Sequence, residues 1–152
     1  MKGRLQNIQF DVVFSSPLQR AKRTAELAGF PTPQLTPLLR EVDYGEYEGM
    51  TTKAIRASRP GWELYKDGSP GGDTPSQIYA RAMEFINLAS GAGGRVLAFS
   101  HGHFLRVLAA RWIGSSPTKG RHLLLNPASV SLLSFEHSNP EEPVIALWNG
   151  RL

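Results

Sequence analysis

The sequence predicts an α/β fold with a mostly parallel sheet, and one local pattern that occurs twice carries most of that prediction. A short β-branched, apolar run, a polar turn and a helix-period segment closed by glycine follow one another over residues 11–29 and again over residues 95–114. A long helical pattern lies between the two, so strands and helices alternate, the order that places parallel strands in one sheet.

Asp11-Val12-Val13-Phe14-Ser15 is the first strand, and Ser16-Pro17 follows as N-cap and first-turn residues of a helix from Pro17 to about Ala28. Leu18, Ala21, Ala25 and Ala28 share one face of that helix, Gly29 sits where a left-handed C-cap belongs, and Pro31 and Pro33 lie beyond. Thr74-Pro75-Ser76-Gln77 has the form of a capping box, and Ile78, Ala82, Phe85 and Ala89 recur at helical spacing, giving a helix over Thr74–Ala89. The second strand–helix unit is Arg95–Ser100, then His101-Gly102-His103, then Phe104–Ile113 with Leu105, Leu108, Ala109 and Trp112 inward and Gly114 at the end. Ser129–Phe135 and Pro143–Trp148, separated by Ser138-Asn139-Pro140, read as the last two strands.

The chain has 152 residues, 41% hydrophobic and 20% charged, the profile of one globular domain over residues 1–152. The proline- and glycine-rich stretches Phe30–Pro37 and Gly68–Pro75 are short enough to be loops. With no cysteine, thiolate nucleophiles and Cys-ligated metal sites are excluded, and a cytoplasmic setting is expected. No apolar run reaches the ~18–20 residues of a membrane helix, so no membrane partner is expected. The net charge of +4 is scattered rather than clustered, which argues against nucleic acid and suits a small anionic ligand.

Ligands of open α/β sheets bind beyond the carboxyl ends of the strands, where helix N-termini present unpaired N–H groups. Both turns at that edge carry unusual residues: Ser15-Ser16-Pro17-Leu18-Gln19-Arg20 and Ser100-His101-Gly102-His103. A guanidinium, an imidazole and two helix dipoles would then converge on one anion, the environment a phosphoryl group needs. By position alone, Arg20 also fits an exposed helix face with Lys22, Arg23 and Glu26, and His101 fits a backbone-capping role. His101 and His103 form a His-x-His pair that ligates metal in some folds, but no third histidine stands near it. His122 and His137 have no companion motif. Arg40–Gly49 holds four carboxylates, two glycines and two tyrosines, a composition that also suits a solvated loop.

These motifs together resemble the histidine phosphatase, or phosphoglycerate mutase-like, superfamily. Ser15-Ser16-Pro17-Leu18-Gln19-Arg20-Ala21 with Thr24-Ala25, Glu41-x-x-Tyr44-Gly45-x-x-Glu48-Gly49 and Ser100-His101-Gly102-His103 are similar to three of its motifs, in the right order. The resemblance implies a three-layer sandwich and a metal-free phosphohistidine mechanism without cofactor. One histidine attacks phosphorus, a second histidine and two arginines bind the phosphoryl oxygens, and a carboxylic acid protonates the leaving oxygen. On matching positions, Arg20 is the phosphate-clamping arginine, His101 with Gly102 the second pocket group, and Glu41 the general acid. The family's first strand ends in Arg-His-Gly, whose histidine is the nucleophile; that tripeptide is absent, and Arg121-His122 is followed by Leu123. Met1–Phe10 resembles the tail of the family's first helix, so the expectation is an N-terminally truncated form that lacks the first strand and is inactive alone.

The segment from Asp43 through Trp62–Gly68 to Gly72-Asp73-Thr74, the run His101–Arg106 and the ending Ser129–His137 with Asn139–Pro143 resemble the branch of sedoheptulose-bisphosphatase-like enzymes and small bacterial acid phosphatases. A small phosphorylated metabolite, foremost a sugar phosphate, is the implied partner, with His103, Arg106 and either Lys53 or Arg56 as further contacts. Short loops favour hydrolysis over mutase-type transfer. The competing reading is a non-catalytic phosphate-binding module, and an exposed sheet edge would favour a homodimer.

Overall fold

The computed structural model describes residues 5 and 7–151. Three strands, Val12–Ser15 (β1), Gln34–Leu35 (β2) and Val96–Phe99 (β3), form a parallel sheet in the order β2-β1-β3. The register pairs Phe14 with Gln34 and Ala98, and Ser15 with Leu35 and Phe99, so all three strands end at one edge.

Helices lie on both faces of this sheet, as side-chain alternation along the strands requires. Val13, Leu97 and Phe99 pack with Ala21, Ala25 and Ala28 from the helix Gln19–Leu27 (α1) and the residue after it. Val12, Phe14, Val96 and Ala98 face the other way, into a core with Ile78, Phe85, Phe104, Val107 and Leu108. Those partners come from Pro75–Ala92 (α4) and Gly102–Trp112 (α5). Two shorter helices, Thr52–Ser58 (α2) and Leu64–Asp67 (α3), close that side through Ile55, Leu64 and Tyr65.

Several element boundaries differ from the sequence reading, each for a local reason. α1 starts at Gln19, not Pro17, because wholly buried Ser16 still belongs to the sheet edge: its N–H donates to Phe99 O, and its Oγ accepts from Leu18 N. α4 has the capping box expected of Thr74 and Gln77 and runs three residues past Ala89, ending where Gly93 takes a positive φ of 69°. α5 begins at Gly102 rather than Phe104, and its inward face is Phe104, Val107 and Leu108 with Ala109 and Ala110. Leu105 and Trp112, expected inward, are half-buried. Trp112 turns instead toward the last strands, donating its indole N–H to Ser134 O and Val144 O, with its ring 4.9 Å from Phe135.

Ser129–Phe135 (β4) and Pro143–Arg151 (β5) pair antiparallel in a separate two-stranded sheet. The connection over residues 136–142 is too short for the crossover that parallel pairing would need.

Candidate active site

Each of the three parallel strands delivers one loop to the same edge. β1 leads through Ser16 to Arg20 in the first turn of α1, β3 leads to His101 at the N-cap of α5, and β2 leads to the segment carrying Glu41 and Tyr44. The two motifs matched across 81 positions meet directly: Arg20 Nε donates to His101 Nδ1 at 2.9 Å. Because Nδ1 accepts, the proton of the neutral ring is on Nε2, which donates to Ser16 Oγ at 2.9 Å. His101 is 6% exposed, and its pKa is held below the usual 6.5 by burial, then by the Arg20 charge, with Glu41 opposing. Among the described residues, the terminal nitrogens of Arg20 have no protein partner; two donor groups of an exposed guanidinium are therefore free for an anion.

The residues around Glu41 are not a solvated charge run. A 3-10 turn over Pro37–Leu39 puts Leu39 in the core at 0% exposure, and Val42 is buried two residues past Arg40. Glu41 between them accepts backbone N–H groups from Phe104 at 2.9 Å, Val42 at 3.0 Å and His103 at 3.3 Å, so its carboxylate lies against the N-terminal turn of α5. Gly102 is the first residue of that helix. Glu41, Arg20, His101 and Gly102 are thus gathered at one place.

Arg81, which no motif singles out, and Asp73, noted from sequence only within Gly72-Asp73-Thr74, hold this loop in position. Arg81 donates to Arg40 O at 2.5 Å, Leu38 O at 3.4 Å and Glu41 O at 3.4 Å, pairs with Asp73 Oδ2 at 3.0 Å, and lies 4.5 Å above the Phe104 ring. Asp73 Oδ2 also accepts from Asp43 N, while Asp73 N donates to Asp43 O. The two loops touch backbone to backbone: a Cβ at Gly45 would lie 2.2 Å from Pro70 O, and one at Gly72 would lie 2.3 Å from Asp43 O. Only glycine fits at either position. No spacing rule connects Arg81 to carbonyls forty residues away, so periodicity shows it as an ordinary helix-face arginine.

A cavity of about 570 Å³ opens beside these groups, lined in part by Tyr44, Trp62, Glu63, Tyr65, His103 and Arg121. The Tyr44 hydroxyl hydrogen-bonds His103 Nδ1. Burial lowers the His103 pKa and raises those of Tyr44 and Tyr65. Of the further contacts expected from sequence, His103 and Arg56 line the cavity. Arg106 does not, because it is committed to the protein: it donates to Gly120 O and Arg121 O and stacks on Tyr65 at 4.9 Å. Lys53 is exposed on α2 away from the lining. The rings of His101 and His103 have separate partners, and no group of three or more metal-ligating side chains occurs among the described residues. Nor is any described helix long and apolar enough to cross a membrane.

The chain is similar to known proteins over most of its length. The acid phosphatase of Mycobacterium tuberculosis is 38% identical over 138 residues, covering 90% of this chain and 68% of that protein. The sedoheptulose 1,7-bisphosphatase of Saccharomyces cerevisiae is 28% identical, covering 89% of this chain and 71% of that protein. The solved structure of the open reading frame Rv3214 product of Mycobacterium tuberculosis superposes with a TM-score of 0.87 at 36% identity, over 92% of this chain and 72% of that one. The family model that describes branch 1 of the histidine phosphatase superfamily matches residues 1–150, and with the fold and the order of its motifs in agreement, the chain belongs to that superfamily.

Proposed function

We propose that this chain carries the phosphate-binding and acid side of a phosphatase acting on small phosphate monoesters, with sugar phosphates as the substrate class. The observation that carries the reading is the 2.9 Å contact between Arg20 Nε and His101 Nδ1 at the carboxyl ends of adjacent parallel strands. An anion placed there meets the free donors of Arg20, held in place by His101, and the N-terminal turn of α5 at Gly102. Similarity to an acid phosphatase and to a sugar bisphosphatase supports the same reading.

In the complete form of this chemistry, an imidazole nitrogen attacks phosphorus and the ester P–O bond breaks. Glu41 delivers a proton to the departing oxygen, and Arg20 and His101 hold the charge that builds on the phosphoryl oxygens. Water then attacks the phosphohistidine and releases phosphate, with no metal or cofactor required. No Arg-His-Gly tripeptide occurs in the 152 residues. The chain by itself therefore binds phosphate without turning it over.

The test is calorimetric titration of the 152-residue chain with inorganic phosphate, followed by an assay of a version preceded by a strand ending in Arg-His-Gly. Binding that Arg20→Ala weakens by about ten- to a hundredfold, and p-nitrophenyl phosphate hydrolysis by the extended version, are expected. Phosphate binding with no hydrolysis by the extended version would leave the non-catalytic binding module as the better reading.

A further inference from the structure

Four buried side-chain polar atoms lack a hydrogen-bond partner among the described residues: Glu63 Oε1, Tyr65 Oη, Ser69 Oγ and Arg111 Nε. Two of the four, Glu63 Oε1 and Tyr65 Oη, belong to residues two positions apart at the start of α3, both of which line the cavity beside the proposed phosphate site. An unmade hydrogen bond of this kind costs roughly 1–3 kcal/mol, so a pair of them on one wall calls for a physical reason.

Neither side chain can turn away. Glu63 is held by its other oxygen, since Arg121 Nη1 donates to Oε2 at 2.6 Å. Tyr65 is 6% exposed, with the Arg106 guanidinium 4.9 Å from its ring centre, the His103 ring edge-on at 5.8 Å, and Gly120 packed so closely that an added Cβ would lie 3.2 Å from its ring carbons. Arg106 is in turn fixed to the carbonyls of Gly120 and Arg121. The wall is built from both sides and its polar atoms are left over.

Arg20, His101 and Glu41 do not themselves line the cavity, but Tyr44 and His103 do, and His103 follows Gly102 in the turn that holds Glu41. The organic part of a phosphate ester bound at Arg20 and His101 has this space to occupy, and about 570 Å³ suits a small sugar. A carboxylate oxygen accepts only, so it needs a ligand O–H; a phenol both donates and accepts.

We propose that Glu63 and Tyr65 are specificity residues that read neighbouring hydroxyl groups of the alcohol portion, selecting polyhydroxylated phosphate esters over aryl or alkyl ones. This rests on the phosphate-site reading above. A site that offers unpaired buried polar groups rejects an analogue lacking the matching hydroxyls, because binding it leaves those groups unpaired. The Tyr65 hydroxyl, whose pKa burial raises further above the usual 10, is protonated and able to donate across the neutral range.

The experiment is equilibrium binding to the 152-residue chain with inorganic phosphate, phenyl phosphate and ribose 5-phosphate. Ribose 5-phosphate is expected to bind at least about tenfold tighter than phenyl phosphate, and Glu63→Gln and Tyr65→Phe to remove about that factor for the sugar ester alone. Thermal unfolding of unliganded Tyr65→Phe is expected at or above the parent midpoint, because the hydroxyl lost has no partner; a hydroxyl with a structural role would give a lower one. Phosphate binding without sugar preference, or variants that weaken all three probes alike, would overturn the hydroxyl-reading wall and leave the phosphate site standing. No phosphate binding at all would overturn both.

Discussion

Arg20 points its Nε, not its terminal nitrogens, at His101 Nδ1, and the two are 2.9 Å apart. The imidazole is thereby locked in one tautomer while the outer guanidinium nitrogens stay available to a ligand.

Removing that guanidinium is expected to weaken phosphate binding by about ten- to a hundredfold in Arg20→Ala, the scale of one or two charge-assisted hydrogen bonds. Because the Arg20 charge also lowers the His101 pKa, the same variant is expected to move the His101 NMR titration to higher pH. Phosphate bound to the parent protein is expected to move it in that direction too. An unchanged titration in both cases would refute the coupling.

The two depressed histidines set the sign of a stability profile. His101 and His103 both have folded pKa values below the ordinary 6.5. Below pH 6.5 the unfolded chain binds protons that the folded protein does not take up, so stability is full above that pH and falls as pH drops through the folded values. Urea midpoints measured downward from neutral pH are expected to decline, and His101→Gln to reduce the decline; an identical slope in the variant would contradict the assignment.

Arg81 is expected to govern the Glu41 loop rather than ligand contact. Arg81→Met keeps the bulk over Phe104 but removes the donor to the carbonyls of Leu38, Arg40 and Glu41 and leaves Asp73 Oδ2 with the Asp43 N–H alone. A loss of about 2–3 kcal/mol in urea unfolding is expected. A change below about 0.5 kcal/mol would show that the loop is held by its glycine contacts instead.

Hydrolysis by the version extended with an Arg-His-Gly strand is expected to survive EDTA, since the positive charge is supplied by Arg20 and by hydrogen-bond donors rather than by a divalent ion. Loss on chelation with recovery on adding Mg²⁺ or Zn²⁺ would return attention to His101 and His103 as metal ligands.

What could be read from the sequence was set by range. Ser16, Arg20 and His101 stand out because each sits just past a strand, where short-range patterns of apolar runs and turn residues mark the place. The capping box of α4 is legible for the same reason, as its groups are three residues apart. Leu39 and Val42 were hidden in a run of charges because an irregular segment that alternates core and solvent has no fixed period. Arg81, Glu63 and Tyr65 were not legible as site residues at all: their roles depend on partners 41 to 58 positions away, which only the folded chain brings near. The separation of β4 and β5 into their own sheet likewise follows from pairing partners, not from the apolar runs that identify both as strands.

Trp112 gives the molecule a boundary between slow and fast opening. Its single N–H is shared between Ser134 O and Val144 O, and through it α5, whose other end carries His101 and His103, grips a sheet that has no ladder bond to β1, β2 or β3. Amide hydrogen exchange should therefore split into two cooperative units, with β4 and β5 exchanging together and earlier than the β1–β3 ladder. With Trp62 and Trp148 replaced by Phe, the indole fluorescence of Trp112 alone is expected to report which unit has let go.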